Sequence, residues 1–332
     1  MVLTIYRKKI DEKNKIYQYT DLDGKIIKDK KILDYIKGLP PIAPAYDDVI
    51  IFYEKNPRIL YEGRDKAGRL QQIYSPVWRK KADKEKFKSL IEFGKKLPTM
   101  IINMHKNIKS KALIKDKVIS IILLIITLCG FRLGSLKYQK LYNSTGLITL
   151  KKKHLAFKIK KLEISFIGKK GVKNDCSITD QVLIDEMKKI AENKKNDDFL
   201  FIYEIENADK NTKNEQKMIT ANDINDWLKS YNPDFTSKYI RTYEVNVLLI
   251  SMLKDTEPSK MTITQRKKKV TDLIKEVSCE INNSPAICKK SYLSKELIEL
   301  YIEHPKKYEN ELIKNDYSPR VNFIKFLENL YN

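Results

Sequence analysis

Tyr292 closes the segment INNSPAICKKSY, and Arg241 lies fifty-one residues upstream of it in SKYIRTY. A tyrosine hydroxyl can serve as a nucleophile. An arginine supplies a planar fork of donors that stays charged and fits phosphate oxygens in a way a lysine cannot match. Phosphodiester transfer to a protein hydroxyl needs the nucleophile, cationic donors for the non-bridging oxygens, and an acid for the departing sugar oxygen. Arg132, in GFRLGSLKY, is a second donor of the required kind. Lys169, in the turn FIGKKG, is the candidate acid, because crowding by cations or desolvation lowers a lysine pKa toward neutrality.

The partner of such chemistry follows from charge. Lys and Arg number 65 against 43 Asp and Glu, a net +22 spread along 332 residues. That field attracts a polyanion, and duplex DNA is the first expectation. The longest apolar run, Val118 to Phe131, is bounded by Lys117 and Arg132. It falls short of the roughly 20 residues a membrane span needs, so a buried helix is expected and no membrane partner. The amino terminus lacks the apolar core and cleavage site of a signal peptide, which predicts an intracellular protein. Cys129, Cys176, Cys279 and Cys288 stand without CxxC spacing, so reduced cysteines are expected, with neither a disulfide framework nor a zinc site. Asp47-Asp48 and Asp197-Asp198 read as turn or surface acids rather than magnesium ligands, and no GxxxxGK[ST] occurs. No metal or cofactor is therefore expected.

Two units are predicted to position these residues, giving an α+β fold. Residues 1–80 read as a small β-rich domain: VLTIY, KIYQY before the Asp23-Gly24 turn, DVIIFY, then RILYEG and RLQQIY as a hairpin around residues 65–68. From Lys80 the period becomes helical, and residues 81–332 form a larger, mainly helical domain. Within it, a helix over Lys115–Cys129 leads to Gly130 and Arg132. Three β-like runs, GLITL, LAFKIKKLEISFIG and VKNDCSIT, predict a small antiparallel sheet with a turn at Gly168–Gly171. Helices resume at Thr179, Asn207–Gln216 reads as an exposed loop, and Val270–Ile281 carries a single apolar stripe.

Five blocks in this order resemble the type IB DNA topoisomerases, most closely the compact form of poxviruses and other large DNA viruses. GFRLGSLKY is similar to the first arginine motif, GLITLKKKHL to the segment opening the sheet, and FIGKKG to the lysine hairpin. TSKYIRTY is similar to the second arginine motif and NSPAICKKSY to the nucleophile motif. The resemblance covers nearly the whole chain. It implies Tyr292 as nucleophile, Arg132 and Arg241 as phosphate clamp and Lys169 as general acid, with a 3′-phosphotyrosine intermediate and no need for ATP or metal. Nine residues before the tyrosine these enzymes usually carry histidine, and here Asn283 stands. His105, His154 and His304 fit none of the motifs and read as surface or packing residues.

The resemblance also implies DNA contacts by Lys137 and Tyr138, in the segment laid into the major groove, and by Arg69, Gln71 and Tyr74 of the amino-terminal hairpin. Ser135 takes a place often basic in the poxvirus enzymes, and Gln72 departs from a tyrosine. A monomer that clamps DNA is implied, in the virion and host cytoplasm if the setting is poxvirus-like. Two rivals remain. Tyrosine recombinases share the chemistry and much of the catalytic fold, but usually place histidine three residues before the second arginine, where this chain has Lys238. A basic DNA-binding protein with a decayed site is the other.

Overall fold

The computed structural model describes residues 3–11, 14, 16–205 and 215–331. The chain divides into two compact units, residues 1–86 and 87–332.

The first unit is a five-stranded antiparallel sheet. Its strands are β1 (Leu3–Asp11), β2 (Ile16–Thr20), β3 (Asp47–Tyr53), β4 (Ile59–Arg64) and β5 (Leu70–Tyr74), in the order β2-β1-β3-β4-β5. All five strand runs read from the sequence are present. Alternation puts Ile5, Val49, Ile51 and Tyr61 into one small core. The sequence reading overlooked α1 (Lys30–Gly38), although its start is marked. The Asp29 carboxylate accepts from the Lys31 and Ile32 amides at 2.7 and 3.3 Å, a side-chain cap for otherwise unpaired donors.

Helix α2 (Pro76–Asn107) begins ahead of Lys80, with Pro at a position whose missing N–H costs nothing. Then come α3 (Lys115–Cys129) and the short α4 (Leu136–Tyr142), followed by a three-stranded antiparallel sheet in sequence order: β6 (Leu155–Phe157), β7 (Leu162–Ile167) and β8 (Lys173–Ile178). Next are α5 (Gln181–Ala191), β9 (Ile202–Ile205), β10 (Glu215–Met218) and α6 (Ala221–Lys229). The chain ends with α7 (Ser237–Leu253), α8 (Ile263–Glu280), α9 (Pro285–Ser291), α10 (Lys295–Glu303), α11 (Pro305–Tyr308) and α12 (Pro319–Tyr331). Helix α3 is the hub: every residue from Lys117 to Ile126 is buried, as a helix apolar on all sides must be.

Three expectations need correction. GLITL is not a strand: Leu147–Thr149 forms a 3₁₀ turn, because the Thr149 hydroxyl accepts from the Gly146 amide at 2.9 Å and closes the segment on itself. The sheet keeps three strands because LAFKIKKLEISFIG folds into two, β6 and β7. Of the expected loop Asn207–Gln216, residues 207–214 lie outside the described residues, while Glu215 and Gln216 open β10 and pair with Ile205 and Glu204. Finally, Cys129 and Cys176 form a disulfide with Cα atoms 5.6 Å apart, leaving Cys279 and Cys288 free. Forty-seven residues separate the pair in sequence, and only the packing of α3 on β8 brings them together.

Candidate active site

Arg132 is held by its backbone. Gly130 ends α3 in the left-handed region at φ 59°, its amide donating to the Ile126 carbonyl at 2.8 Å. Phe131 follows, and its ring meets Phe166 of β7 edge-on at 4.9 Å. The Leu147 and Ile148 amides donate to the carbonyls of Arg132 and Leu133 at 2.9 and 3.0 Å. This pairing brings Gly134 and Gly146 backbone to backbone. A Cβ on Gly146 would stand 2.4 Å from the Gly134 Cα and 2.6 Å from the Leu133 carbonyl oxygen, and neither is a flexible side chain that can yield. Gly146→Ala should therefore cost about 1 to 3 kcal/mol of stability, read from a urea midpoint.

Arg241 lies on α7, buried to 4% exposure. Its guanidinium donates to the carbonyls of Gly130 and, at 3.3 Å, Ile281. One side chain thus ties the end of α3 to the end of α8. Burial, with Arg132 nearby, pushes its pKa down to about 10, so it stays charged at neutral pH. The Arg241 guanidinium carbon lies 5.1 Å from the centroid of the Tyr292 ring. Tyr292 closes α9 and is itself 8% exposed. Burial alone would raise its phenol, but the charges of Arg241, Arg132 and Lys238 outweigh that and hold it below the ordinary tyrosine value.

Asn283 sits in the turn between α8 and α9, its amide donating to the Ser278 carbonyl at 2.9 Å. Its side-chain oxygen accepts from the Arg132 guanidinium. A guanidinium only donates, so the Asn283 amide must present oxygen there and turn its nitrogen away. That Nδ2 is buried and unpartnered, as are Asn282 Nδ2 and Arg241 Nε. Orphaned buried donors are costly, and those of Asn283 and Arg241 suit acceptor oxygens. Arg132, Arg241, Asn283 and Tyr292 therefore lie together. The arrangement can fix an anionic phosphate and bring a phenol against it.

Residues 75–316 match the family described as eukaryotic DNA topoisomerase I, catalytic core, which is most of the chain. The chain belongs to the DNA topoisomerase I family. A DNA topoisomerase 1B of Acanthamoeba polyphaga mimivirus is 30% identical over 309 residues, covering 91% of this chain and 88% of the relative. A DNA topoisomerase 1 of Rabbit fibroma virus is 25% identical over 86% of this chain and 90% of its own length. The Monkeypox virus DNA topoisomerase I is 22% identical, over 84% and 88%. The chain is thus an enzyme of the viral type IB topoisomerase class, and DNA is its partner. No helix among the described residues is long and apolar enough to cross a membrane.

Lys169 stands exposed in the turn between β7 and β8 and makes no hydrogen bond or ion pair among the described residues. Lys137 and Tyr138 are exposed on α4, a helix with no buried residue. Ser135 caps that helix, its hydroxyl accepting from the Tyr138 amide at 3.2 Å, which accounts for an uncharged residue there. In the first unit, Arg69 and Gln71 share the Asp65 carboxylate, at 2.6 and 3.1 Å. Tyr74 lies across the pleat from Gln71. Its hydroxyl donates to Gln72 at 2.9 Å and its ring stacks on Trp78 at 4.6 Å. The three hairpin residues therefore do not share one face. His105, His154 and His304 lie outside the cluster: the His154 Nδ1 accepts from the Lys151 amide at 2.9 Å, and His105 faces Asp180 at 3.9 Å.

One residue near Tyr292 has no counterpart among the sequence expectations. Asn246, fully buried on α7, donates to the Tyr292 carbonyl and accepts from the Ser294 amide, both at 2.8 Å. The same helix thus fixes Arg241 and the backbone on either side of Leu293. A lone asparagine inside the apolar run VNVLLI was its only sequence signal.

Proposed function

We propose that the enzyme cleaves one strand of duplex DNA by attack of the Tyr292 hydroxyl on a backbone phosphate, leaving a 3′-phosphotyrosine and a free 5′-hydroxyl. The observation that carries this reading is the buried Tyr292 phenol against Arg241, with Arg132 beside it bonded to Asn283. Arg132 and Arg241 stabilise the charge that grows on the non-bridging oxygens. Their proximity also favours the phenolate of the attacking tyrosine. Lys169 gives a proton to the departing O5′, and the reverse step reseals the strand after rotation has released supercoils. The energy of the broken bond stays in the phosphotyrosine link, so resealing requires neither ATP nor a metal. Both units engage the duplex, through Arg69, Gln71 and Tyr74 in one and Lys137 and Tyr138 in the other. A single chain supplies all the catalytic groups, which supports a monomer. An intracellular setting, in virion and host cytoplasm, follows the viral relatives.

Asn283 acts as a neutral phosphate donor through Nδ2 while its oxygen steadies Arg132. Asn283→Ala should slow single-turnover cleavage by about 10² to 10³, the usual effect of losing one oxyanion donor. Asn283→His should retain most of the rate, because a neutral imidazole also offers one acceptor and one donor. The time course of covalent adduct trapped with detergent measures both. The reaction as a whole is tested with supercoiled plasmid in EDTA without ATP. Relaxation is expected, and DNA binding without relaxation would overturn the proposal.

A further inference from the structure

The turn that presents Lys169 is thinly held. Lys169, Lys170, Gly171, Val172 and Lys173 are all exposed. Lys170 and Gly171 both occupy the left-handed region, at φ 62° and 74°. The turn's own backbone bonds are two: Gly168 N–H to the Val172 carbonyl at 2.8 Å, and Gly171 N–H to the Gly168 carbonyl at 3.2 Å.

Asn174, just beyond the turn on β8, differs from its surroundings. It is 4% exposed and pairs across the sheet with Phe166, the ring that packs on Phe131 next to Arg132. Its Nδ2 donates to the Val172 carbonyl at 2.8 Å, the same oxygen that accepts from Gly168. The amide also fills the space over Gly168, where a Cβ would stand 2.4 Å from Nδ2. A buried amide is expensive unless its hydrogen bonds are made, and a valine or leucine would serve the strand as well. What the amide adds is a second lock on the carbonyl that closes the Lys169 turn. The sheet is anchored beside the active site by the Asp175 amide, which donates to Asn282 Oδ1 at 3.2 Å, and by the Thr145 amide, which donates to the Ile167 carbonyl at 3.0 Å. The turn projects from that anchored base.

We propose that Asn174 is a positioning residue for the proton transfer: it clips the turn so that the Lys169 ammonium reaches the leaving oxygen. The inference rests on the reading of Lys169 as general acid. In the step concerned, Tyr292 Oη loses its proton to water and bonds to phosphorus while the P–O5′ bond breaks. The proton on Lys169 Nζ passes to O5′, giving a 5′-hydroxyl and a neutral amine. A misplaced turn slows only that proton delivery.

A bridging sulfur in place of O5′ isolates the step, because a thiol has a pKa near 8.5 and leaves as thiolate without a proton. Single-turnover cleavage of oxygen- and sulfur-bridged duplexes is compared for the parent, Lys169→Ala, Asn174→Ala and Gly168→Ala, with melting temperatures and DNA affinities alongside. Lys169→Ala should be slowed by about 10² or more on oxygen and restored to near the parent rate on sulfur. Asn174→Ala should be slowed about 10- to 100-fold on oxygen and likewise restored on sulfur, with DNA affinity unchanged. Gly168→Ala crowds the amide from the other side and should give the same signature, so the proposal stays testable if Asn174→Ala fails to fold. Parent-like rates on oxygen, or equal slowing on both substrates, would overturn the role of Asn174. Failure of sulfur to restore Lys169→Ala would instead overturn the general acid itself.

Discussion

Tyr292→Phe should leave supercoiled plasmid unrelaxed and trap no covalent adduct, a loss on the order of 10⁶-fold, as when a catalytic nucleophile is removed from other enzymes. The substitution deletes one atom. The ring is buried against Arg241, and phenylalanine keeps that packing. The backbone of Tyr292, held by the Cys288 carbonyl and the Asn246 amide, is untouched. Melting temperature and DNA affinity should therefore stay close to the parent. Binding without cleavage is the expected phenotype, read from a mobility shift and a detergent-trapped cleavage assay on one duplex. A Tyr292→Phe protein that still formed a covalent adduct would move the nucleophile elsewhere.

Arg241→Ala should slow cleavage by about 10³ or more, at the level of a transition-state arginine. The guanidinium is the most deeply buried cation of the cluster, and its contacts with Gly130 and Ile281 aim it. Alanine removes both the charge proposed to face the phosphate and the tie between α3 and α8, so some stability is lost as well. Arg241→Lys separates the two effects. An ammonium keeps the charge, but as a point it cannot reach both carbonyls and a phosphate in one plane. Its rate should fall between alanine and parent, with most of the stability regained. Equal rates for alanine and lysine would mean that geometry rather than charge carries the contribution.

The site was legible in the sequence to the extent that its chemistry fixes residue types. A phenol, two guanidiniums and an amide have few substitutes, and Tyr292, Arg132, Arg241 and Asn283 converge in the structure. The long apolar helix was also legible, since no surface helix tolerates an all-round apolar sequence. What stayed hidden depends on distant parts of the chain meeting. The Gly134–Gly146 crossing, the Cys129–Cys176 disulfide and the bonds of Asn246 link segments whose apposition no local pattern announces. GLITL has the composition of a strand, and the Thr149 hydroxyl turned it into a tight turn. Resemblance groups the hairpin residues Arg69, Gln71 and Tyr74, whereas strand alternation separates Gln71 from Tyr74. Asp65 holds Arg69 and Gln71 together, a role its place in the hairpin turn does not announce.

The identity of the covalent bond is the decisive measurement. A short duplex is cleaved in a single turnover, the reaction is stopped with detergent, and the adduct is digested and mapped by mass spectrometry, while the released strand is tested for direct labelling by a 5′-kinase. The expected result is a nucleotide linked through its 3′-phosphate to the peptide containing Tyr292, with a released strand that labels at once because it ends in a 5′-hydroxyl. An adduct on any other residue, or a link through a 5′-phosphate, would contradict the mechanism built on Tyr292, Arg132 and Arg241.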